Sequence, residues 1–377
     1  MRCFSRIAAL AALATFAAAA QSVTPPPIAA RGYYLLDTMS GQPLAAAAET
    51  DRFEPASLTK MMTAYLAFAA VRDRKLELAQ ELKVSARAAK APGARMFAKP
   101  DQAVTVQDLL RALIVQSAND AAIALAEGIS GSEEAFVEAM NAQAKKLALA
   151  QTQYMNATGM PAPGHYTSAK DMAMLAAALV RDFPDFYSLY SQKEFTFNRI
   201  TQTNRNRLLW TDPTVDGVKT GFTEAAGYCL VASARRGERR LISVVMGAQS
   251  DTLRTTETQK LLNFGFQAYE TRRLYKKGEA VASPRIYKGT KDEARVGFDR
   301  DVWLTLPRDR FGGIAAVVET RQPFLAPLAA GQKAGIMKLT RDNVPVAEVP
   351  VVALEDVPVA GFLSRGLDTL RLLLRSP

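Results

Sequence analysis

The chain has 377 residues, of which 49% are hydrophobic and 22% are charged, and its formal net charge is +10. This composition is typical of a soluble globular protein, and the length favours two domains over one. With a single histidine and two cysteines the usual ligand sets of a zinc site cannot be built, so no metal or other cofactor is expected.

The first twenty residues are typical of an export signal. Two arginines precede an uncharged, alanine-rich run, and Ala18 and Ala20 form an A-x-A cleavage site. Residues 1–20 are therefore predicted to be a signal peptide, and residues 21–31, with three consecutive prolines, a linker. Export and the lack of an RNA- or DNA-binding motif argue against nucleic acid as a partner, whereas the basic charge suits anionic wall polymer or anionic lipid.

Residues 32–275 are predicted to form one domain in which strands flank a helical middle. A hairpin with its turn at Ser40-Gly41 comes first, and helical patterns follow from Ser57 and over residues 119–147. Two strands around a charged turn at residues 236–238 then precede a last helix. This order of elements is typical of an α+β domain.

The character of the sequence changes over residues 276–358. Short alternating apolar stretches with frequent Pro and Gly predict a small all-β domain, which contains no cluster of catalytic residue types. The tail, residues 359–377, places four leucines between Leu363 and Leu374 on one helical face. At the end of an exported chain, this amphipathic pattern favours a helix that lies in a membrane interface over a core-facing helix.

Ser57 and Lys60 form the first motif of chemical interest. Spaced i and i+3 at a predicted helix start, their side chains lie on one face within reach of each other. The helix N-terminus stabilises a developing alkoxide, and both its potential and partial burial lower the pKa of the lysine. A neutral lysine can act as a base for the serine hydroxyl. Taken alone, however, the pattern favours a serine N-cap followed by a lysine that reaches solvent.

Two further motifs change this interpretation. In "QSAND", Ser117 and Asn119 stand in the break between two helices, where a hydroxyl and an amide could relay a proton and hold a substrate amide. In "VDGVKTGFTEAAGY", Lys219 and Thr220 begin an apolar strand and could meet an anionic substrate group, while Gly221 allows close backbone approach. Each of these two motifs, taken alone, also fits a cap, a turn or a strand start.

Together, S-x-x-K, S-x-N and K-T-G in this order resemble the penicillin-recognising serine acyltransferases, which comprise penicillin-binding proteins and serine β-lactamases. From about Gly32 into the tail, the sequence is more narrowly similar to the low-molecular-mass penicillin-binding proteins, the serine-type D-alanyl-D-alanine carboxypeptidases. The segments that carry this similarity include "EPASLTKMMTAYLA", "LLRALIVQSANDAAIALAE" and "KEFTFNRITQTNRNRLLW". The resemblance implies an antiparallel sheet with a helical cluster, an all-β second domain and an amphipathic anchor helix. It also implies a periplasmic protein attached peripherally to the outer face of the cytoplasmic membrane.

The resemblance further implies a role for each matching residue in catalysis. Ser57 would attack the carbonyl between the two terminal D-alanines of a peptidoglycan stem peptide, and Lys60 would take its proton. Ser117 and Lys219 would pass a proton to the leaving D-alanine, and water would release the acyl-enzyme. Penicillins would acylate the same serine.

The implied substrate contacts involve three side chains and two backbone N–H groups. Asn119 would hold the substrate amide, and Thr220 with Arg254 would bind the terminal carboxylate. The backbone N–H groups of Ser57 and Phe222 would form the oxyanion hole. The chain departs from the family pattern at Phe222, where many relatives carry a histidine.

The expected function is removal of the terminal D-alanine from stem pentapeptides. D,D-endopeptidase activity and a serine β-lactamase on the same scaffold are left as alternatives, although no Glu-x-x-Leu-Asn stretch lies between Asn119 and Lys219. A non-catalytic scaffold that binds wall peptides is disfavoured because the motifs are intact. A Ser-His-Asp triad would need His165, with Asp171 or another acid, but S-x-x-K already supplies a base and a loop histidine is expected to be solvated.

Overall fold

The computed structural model of the protein describes residues 23–320 and 322–374. The predicted signal peptide, residues 1–20, and the last three residues of the chain lie outside the described residues. The described residues form two compact units, Thr24–Ala268 and the residues from Tyr269 onward, which we call the N-terminal unit and the C-terminal unit.

The N-terminal unit combines strands with helices. Its strands are β1 (Gly32–Asp37), β2 (Pro43–Ala47), β3 (Glu81–Lys83), β4 (Ala103–Thr105), β5 (Glu194–Phe197), β6 (Ile200–Thr203), β7 (Val215–Thr223), β8 (Gly227–Arg236) and β9 (Arg239–Ala248). Its helices are α1 (Lys60–Arg72), α2 (Ala86–Ala89), α3 (Val106–Arg111), α4 (Asn119–Ser130), α5 (Glu133–Lys146), α6 (Ala169–Asp182), α7 (Pro184–Tyr187), α8 (Leu208–Thr211) and α9 (Asp251–Ala268). A 3₁₀ turn at Ala56–Thr59 precedes α1, and a π-helical segment at Ala112–Gln116 precedes α4.

An antiparallel five-stranded sheet with the order β2-β1-β9-β8-β7 is the framework of this unit. Strands β8 and β9 are apolar along most of their length because both of their faces are buried, and helices α6 and α9 pack against them. The predicted hairpin, the predicted pair β8–β9 and the predicted last helix are confirmed. Strand β7 lies at the edge of the sheet, where it packs against the 3₁₀ turn.

Helix α1 runs through the middle of the helical cluster. It is buried on almost all sides and packs against α4, as expected of a helix that is apolar around most of its circumference. The ring of Phe68 stacks on Phe186 with 5.0 Å between centroids and lies 5.6 Å from Phe183. At the start of α3, the side chain of Thr105 accepts a hydrogen bond from the N–H of Asp108 and so caps that helix.

The C-terminal unit is built of strands, apart from one terminal helix. Its strands are β10 (Tyr269–Tyr275), β11 (Ala280–Ala282), β12 (Ile286–Tyr287), β13 (Val296–Gly297), β14 (Val302–Pro307), β15 (Ile314–Thr320), β16 (Phe324–Leu325), β17 (Lys333–Arg341) and β18 (Val344–Ala353). The terminal helix is α10 (Phe362–Leu373). Five of these strands form a sheet with the order β11-β13-β18-β17-β15 over a separate apolar core. The predicted all-β second domain with a terminal helix is confirmed. Strand β10, which the sequence placed at the end of the first domain, pairs with β14.

Helix α10 turns its apolar side away from the C-terminal unit. Phe362, Leu363 and Leu374 are each about 80% exposed, whereas the buried residue of the helix is charged, Asp368. The carboxylate of Asp368 accepts a hydrogen bond from the backbone N–H of Lys288 at 2.6 Å. This is the reverse of a helix that packs on a core through its apolar face. Among the described residues, no helix has both the length and the apolar character needed to cross a bilayer.

Candidate active site

The three sequence motifs meet at one cleft of about 580 Å³ in the N-terminal unit. Six of the residues selected from the sequence line it: Ser57, Ser117, Thr220, Gly221, Phe222 and Arg254. The other three, Lys60, Asn119 and Lys219, are buried in the same segments. The cleft is therefore built from the 3₁₀ turn, the break before α4 and the edge strand β7.

Ser57 and Lys60 form a close pair at the start of α1. The Nζ atom of Lys60 lies 3.2 Å from Oγ of Ser57 and donates a hydrogen bond of 2.5 Å to the carbonyl oxygen of Thr158. Lys60 is 1% exposed, and burial lowers its pKa to about 7, with the charge of Arg205 acting in the same direction and that of Asp120 opposing it. A lysine with this pKa is substantially neutral at physiological pH.

The alternative interpretation of this motif does not fit the structure. The hydroxyl of Ser57 makes no cap hydrogen bond at the start of the helix, and Lys60 does not reach solvent. The expected helix start is also displaced, because residues 56–59 form a 3₁₀ turn and the α-helix begins at Lys60. The two side chains are positioned for chemistry between them rather than for helix capping.

A loop that the sequence analysis passed over holds the lysine in place. The side-chain oxygen of Asn156 accepts hydrogen bonds from the backbone N–H groups of Thr158 and Gly159 at 3.2 and 2.7 Å. Gly159 has φ +86°, and a Cβ there would lie 1.8 Å from the carbonyl oxygen of Ala56. The loop thus presses its backbone against the turn that carries Ser57, where no side chain fits. The N-x-x-G pattern in "NATGM" was the available signal.

Ser117 lies where the π-helical segment ends and α4 has not yet begun. Its backbone has φ +62° and ψ +35°, a left-handed conformation that costs a non-glycine residue about 1–2 kcal/mol. It is 4% exposed, and among the described residues its hydroxyl has no hydrogen-bond partner. Strain of this kind together with an unpaired buried hydroxyl is typical of a functional site.

Asn119 ties a neighbouring loop to the same place. Its side-chain Nδ2 donates to the carbonyl of Pro92 at 2.6 Å, and its backbone N–H donates to the carbonyl of Ala94 at 2.7 Å. Asp120 continues this function, because its carboxylate accepts hydrogen bonds from the N–H groups of Met96, Phe97 and Ala98. With Nδ2 engaged, the carbonyl oxygen of the Asn119 side chain is the atom left to face a ligand.

Strand β7 brings the K-T-G motif against the 3₁₀ turn Ala56–Thr59, which carries Ser57. The amine of Lys219 donates to the carbonyl of Thr220 at 2.9 Å, and burial lowers its pKa well below the usual range, with the charge of Lys60 acting in the same direction. A Cβ on Gly221 would lie 3.2 Å from the Cβ of Ala56. A side chain at this position would push the turn back by a few tenths of an ångström, so glycine lets the strand lie this close to it.

Arg254, from α9, supports the same strand. Its Nη1 donates to the carbonyl of Gly221 at 3.1 Å, and the guanidinium also pairs with Asp251. Its side chain is almost wholly buried, yet the charge faces the cleft. Phe222, by contrast, is 48% exposed, and its ring lies 4.3 Å from that of Tyr228. An aromatic pair thus stands beside a cationic site.

Seven residues that line the cleft were not selected from the sequence: Thr203, Asn204, Arg205, Arg207, Trp210, Tyr228 and Asp251. The segment "TNRNR" alternates, because Asn204 and Asn206 are buried and the two arginines are exposed. Asn206 donates to the carbonyl of Gly217 at 2.9 Å and so fixes the segment beside β7. The alternation of asparagine and arginine indicates an extended segment with one buried and one exposed face. A search for apolar periodicity does not detect it, because both faces are polar.

The expectation that His165 is solvated is wrong. It is 4% exposed, and its Nε2 lies 3.1 Å from Oγ1 of Thr59. The proposed triad partner Asp171 instead accepts hydrogen bonds from Gln151 and Thr152. A Ser-His-Asp arrangement is therefore not what this histidine forms.

Comparison with known proteins extends over both units. Residues 19–250 match the D-alanyl-D-alanine carboxypeptidase family model, and residues 269–359 match the C-terminal domain of penicillin-binding protein 5. D-alanyl-D-alanine carboxypeptidase DacC of Escherichia coli K12 is 41% identical over 359 residues, covering 93% of this chain and 90% of the relative.

Solved structures of penicillin-binding proteins also superpose on this chain. Penicillin-binding protein 5 from Haemophilus influenzae superposes with a TM-score of 0.86 at 40% identity and covers 89% of this chain and 100% of its own. Penicillin-binding protein D2 from Listeria monocytogenes, in its ampicillin-bound form, superposes with a TM-score of 0.58 at 30% identity, covering 65% of this chain and 100% of its own.

Replacement of Gly159 by alanine tests the packing of the loop against the nucleophile turn. The new Cβ must displace the carbonyl of Ala56 and with it Ser57, so we expect acylation of Ser57 by a labelled penicillin to slow about 100-fold. Gly164→Ala is the matched control: it has a similar φ of +80°, but its nearest neighbours would lie 3.8 Å or more from the Cβ. That variant should lose some stability and keep its acylation rate. Equal rates in the two variants would contradict the packing argument.

Proposed function

The chain belongs to the D-alanyl-D-alanine carboxypeptidase family, and we propose that Ser57 is its nucleophile and Lys60 the base that activates it. The reaction is removal of the terminal D-alanine from peptidoglycan stem pentapeptides through an acyl-enzyme. The observation that carries this proposal is the buried amine of Lys60, 3.2 Å from the serine hydroxyl and with a pKa of about 7. An amine in this state accepts a proton without an imidazole.

Acylation begins with proton transfer from Ser57 to Lys60. One N–H of the neutral amine donates to the carbonyl of Thr158, which leaves the nitrogen lone pair free to take the hydroxyl proton. The serine oxygen then adds to the carbonyl between the two D-alanines. The backbone N–H groups of Ser57 and Phe222 hold the oxyanion, and the close contact at Gly221 supports this assignment because it sets β7 beside the turn.

Collapse of the tetrahedral intermediate needs a proton on the leaving amine. Ser117 and Lys219 are proposed to relay to it the proton that Lys60 took from Ser57, since the hydroxyl of Ser117 lines the cleft and the charge of Lys219 interacts with that of Lys60. The C–N bond breaks, D-alanine leaves, Ser57 carries the acyl group, and Lys60 is neutral again. Water then adds to the ester as Lys60 takes its proton, and Lys60 returns that proton to the Ser57 oxygen when the ester C–O bond breaks.

The terminal carboxylate of the substrate is proposed to bind Thr220 and Arg254. The guanidinium of Arg254 is held by Gly221 and Asp251, so it meets an incoming anion without reordering. The side-chain carbonyl of Asn119 is available to accept the substrate amide N–H. Penicillins acylate this family at the same serine, and an ampicillin-bound form is known for the Listeria monocytogenes relative.

The cleft does not favour the β-lactamase alternative. Among the described residues that line it, the carboxylate is Asp251, which is paired with Arg207 at 2.7 Å and with Arg254. Each oxygen of this carboxylate is engaged by a guanidinium group, so neither is placed to take a proton from water. We therefore expect the penicilloyl enzyme to clear slowly.

Helix α10 is proposed to attach the protein to the outer face of the cytoplasmic membrane. Its exposed apolar side is the surface that an interface would bury, and the polar residue Asp368 is turned to the C-terminal unit instead. The helix is too short to span a bilayer, so it would lie in the plane of the interface.

Replacement of Ser57 by alanine tests the nucleophile. Wild-type mature protein should release free D-alanine from a peptide ending in D-Ala-D-Ala and should hold a slowly clearing covalent label from penicillin, and Ser57→Ala should do neither. D-alanine release by the variant would overturn the assignment. Rapid penicillin turnover by the wild type would favour a β-lactamase, and labelling without peptide cleavage would favour a wall-binding scaffold.

The pH dependence of acylation tests the base. The folded-state pKa of Lys60 lies below its ordinary value, so the reactive neutral form is present above about pH 7 and is lost as the pH falls. The second-order acylation rate should fall about tenfold for each pH unit below that value and level off above it. A rate that is flat from about pH 5.5 to about pH 9, or that rises with a midpoint near the ordinary lysine pKa, would exclude this assignment.

Substitutions in α10 test the anchor. Leu367 and Leu370 are 59% and 57% exposed, and changing both to glutamine should weaken sedimentation with anionic vesicles by more than about tenfold. Truncation before Gly361 should release the protein fully. The control is Thr369→Ala on the same helix, which should bind as the wild type does. A truncated protein that still sediments would show that the anchor lies elsewhere.

A further inference from the structure

His165 is the sole histidine of the chain, and the mechanism above gives it no role. It lies at the end of the loop that follows Gly159 and is buried against the edge of the Tyr154 ring. Its two ring nitrogens have different neighbours: Nε2 lies 3.1 Å from Oγ1 of Thr59, and Nδ1 lies 3.4 Å from Nδ2 of Asn156. The ring therefore connects two segments that are distant in sequence.

The hydrogen bonds of Asn156 fix the orientation of its amide. The backbone N–H groups of Thr158 and Gly159 can only donate, and both point at one atom of the Asn156 side chain. That atom must be the oxygen. The other atom is then the nitrogen, which donates to the carbonyl of Met160 at 2.9 Å and faces His165.

The ring of His165 also hydrogen-bonds the backbone of Met160, which opposes the lowering of its pKa. One ring nitrogen thus faces Thr59 and the other faces the Asn156 loop. In the neutral ring one of these two nitrogens donates a hydrogen bond and the other accepts one. Burial lowers the pKa of His165 to about 4, so the ring stays neutral at physiological pH.

The two residues that His165 contacts, Thr59 and Asn156, belong to the two segments that hold Ser57 and the amine of Lys60 in place. Thr59 belongs to the 3₁₀ turn between Ser57 and Lys60. Asn156 organises the loop whose Thr158 carbonyl accepts the hydrogen bond from the Lys60 amine. A change in the distance between turn and loop would therefore change both the alignment of the amine and its exclusion from water.

We propose that His165 is a positioning residue. It connects the 3₁₀ turn at residues 56–59 to the loop at residues 156–159 and so holds the Lys60 amine in line with Ser57. The proposal rests on the proposed function of Ser57 and Lys60. Its chemical content is one donated and one accepted hydrogen bond, and the ring does not contact the reacting atoms. The hydrogen bond to Thr59 is the part of the bridge that a substitution can isolate.

His165→Met tests the proposal, because methionine fills a similar volume without either hydrogen bond. We expect the first-order rate of acylation by a labelled penicillin to fall about tenfold or more while the non-covalent dissociation constant is unchanged. We also expect the apparent pKa of acylation to rise above about 7, since burial is the main cause of the low pKa of Lys60 and a loosened loop admits water. A purely structural role would lower the active fraction but would leave the apparent pKa where it is.

His165→Gln is the conservative variant, since its terminal amide can still form a hydrogen bond with the Thr59 hydroxyl. It should recover most of the acylation rate and the wild-type apparent pKa. Wild-type rate and apparent pKa in a folded His165→Met protein would overturn the proposal, and so would a glutamine variant no better than methionine.

Thr59→Val supplies a second approach that does not depend on the folding of the histidine variants. It removes the hydroxyl that bonds His165 and keeps the shape of the side chain, and it should slow acylation and raise the apparent pKa in the same way. In the double variant the two effects should not add, because one hydrogen bond is lost in both. Full additivity would show that the residues act separately. A wild-type protein without acylation would instead refute the proposed function itself.

Discussion

The reactivity of the cleft depends on one unfavourable arrangement, an amine taken out of water without a carboxylate to neutralise it. None of the ion pairs among the described residues includes Lys60, although Asp120 lies close enough to affect its pKa. Asp120 instead accepts hydrogen bonds from backbone N–H groups of the loop at residues 96–98 and from Ala121. Burial raises the pKa of Asp120 despite these hydrogen bonds, and its charge only partly opposes the lowering of the Lys60 pKa by burial. The same arrangement lowers stability at neutral and lower pH, because the unfolded chain binds a proton that the folded chain releases above about pH 7.

Keeping such an amine in place requires backbone contact from two sides of the turn at residues 56–59. Gly159 approaches from the loop and Gly221 from strand β7, and a Cβ at either position would meet Ala56. The turn is thus held between two glycines that are far apart in sequence. The edge position of β7 is what makes this possible, because an inner strand would have a neighbour where the turn now lies. The strand order of the sheet therefore constrains the position of the turn that carries Ser57.

Much of this could be predicted from the sequence, and the limits have physical causes. Apolar patterning predicted the β1–β2 hairpin, the β8–β9 pair and the last helix of the N-terminal unit, because those elements bury periodic faces. The three motifs could be placed in one cleft only through the family resemblance, since nothing local in them specifies a long-range contact.

The parts that were missed, such as Thr158 and Arg205, lie in loops, where backbone carbonyls and side-chain directions follow no period. His165 was misjudged for the same reason, because burial of a loop depends on what packs over it. The pairing of β10 with β14 is likewise non-local and could not be read from its own residues.

The distribution of charge in the cleft bears on what happens after acylation. Three cations, Arg205, Arg207 and Arg254, line it together with Asp251, which is the carboxylate among the described lining residues. This excess of positive charge attracts a substrate that ends in a carboxylate, and it also favours the neutral form of both buried lysines. It leaves no unpaired carboxylate among the described cleft residues to activate water, so in the proposed mechanism the lysine that assists acylation also assists deacylation. A peptide product gives that lysine open access to the ester once D-alanine has left. A penicillin keeps its leaving group attached, since the ring opens without releasing a fragment, and so it continues to occupy the space that the water needs.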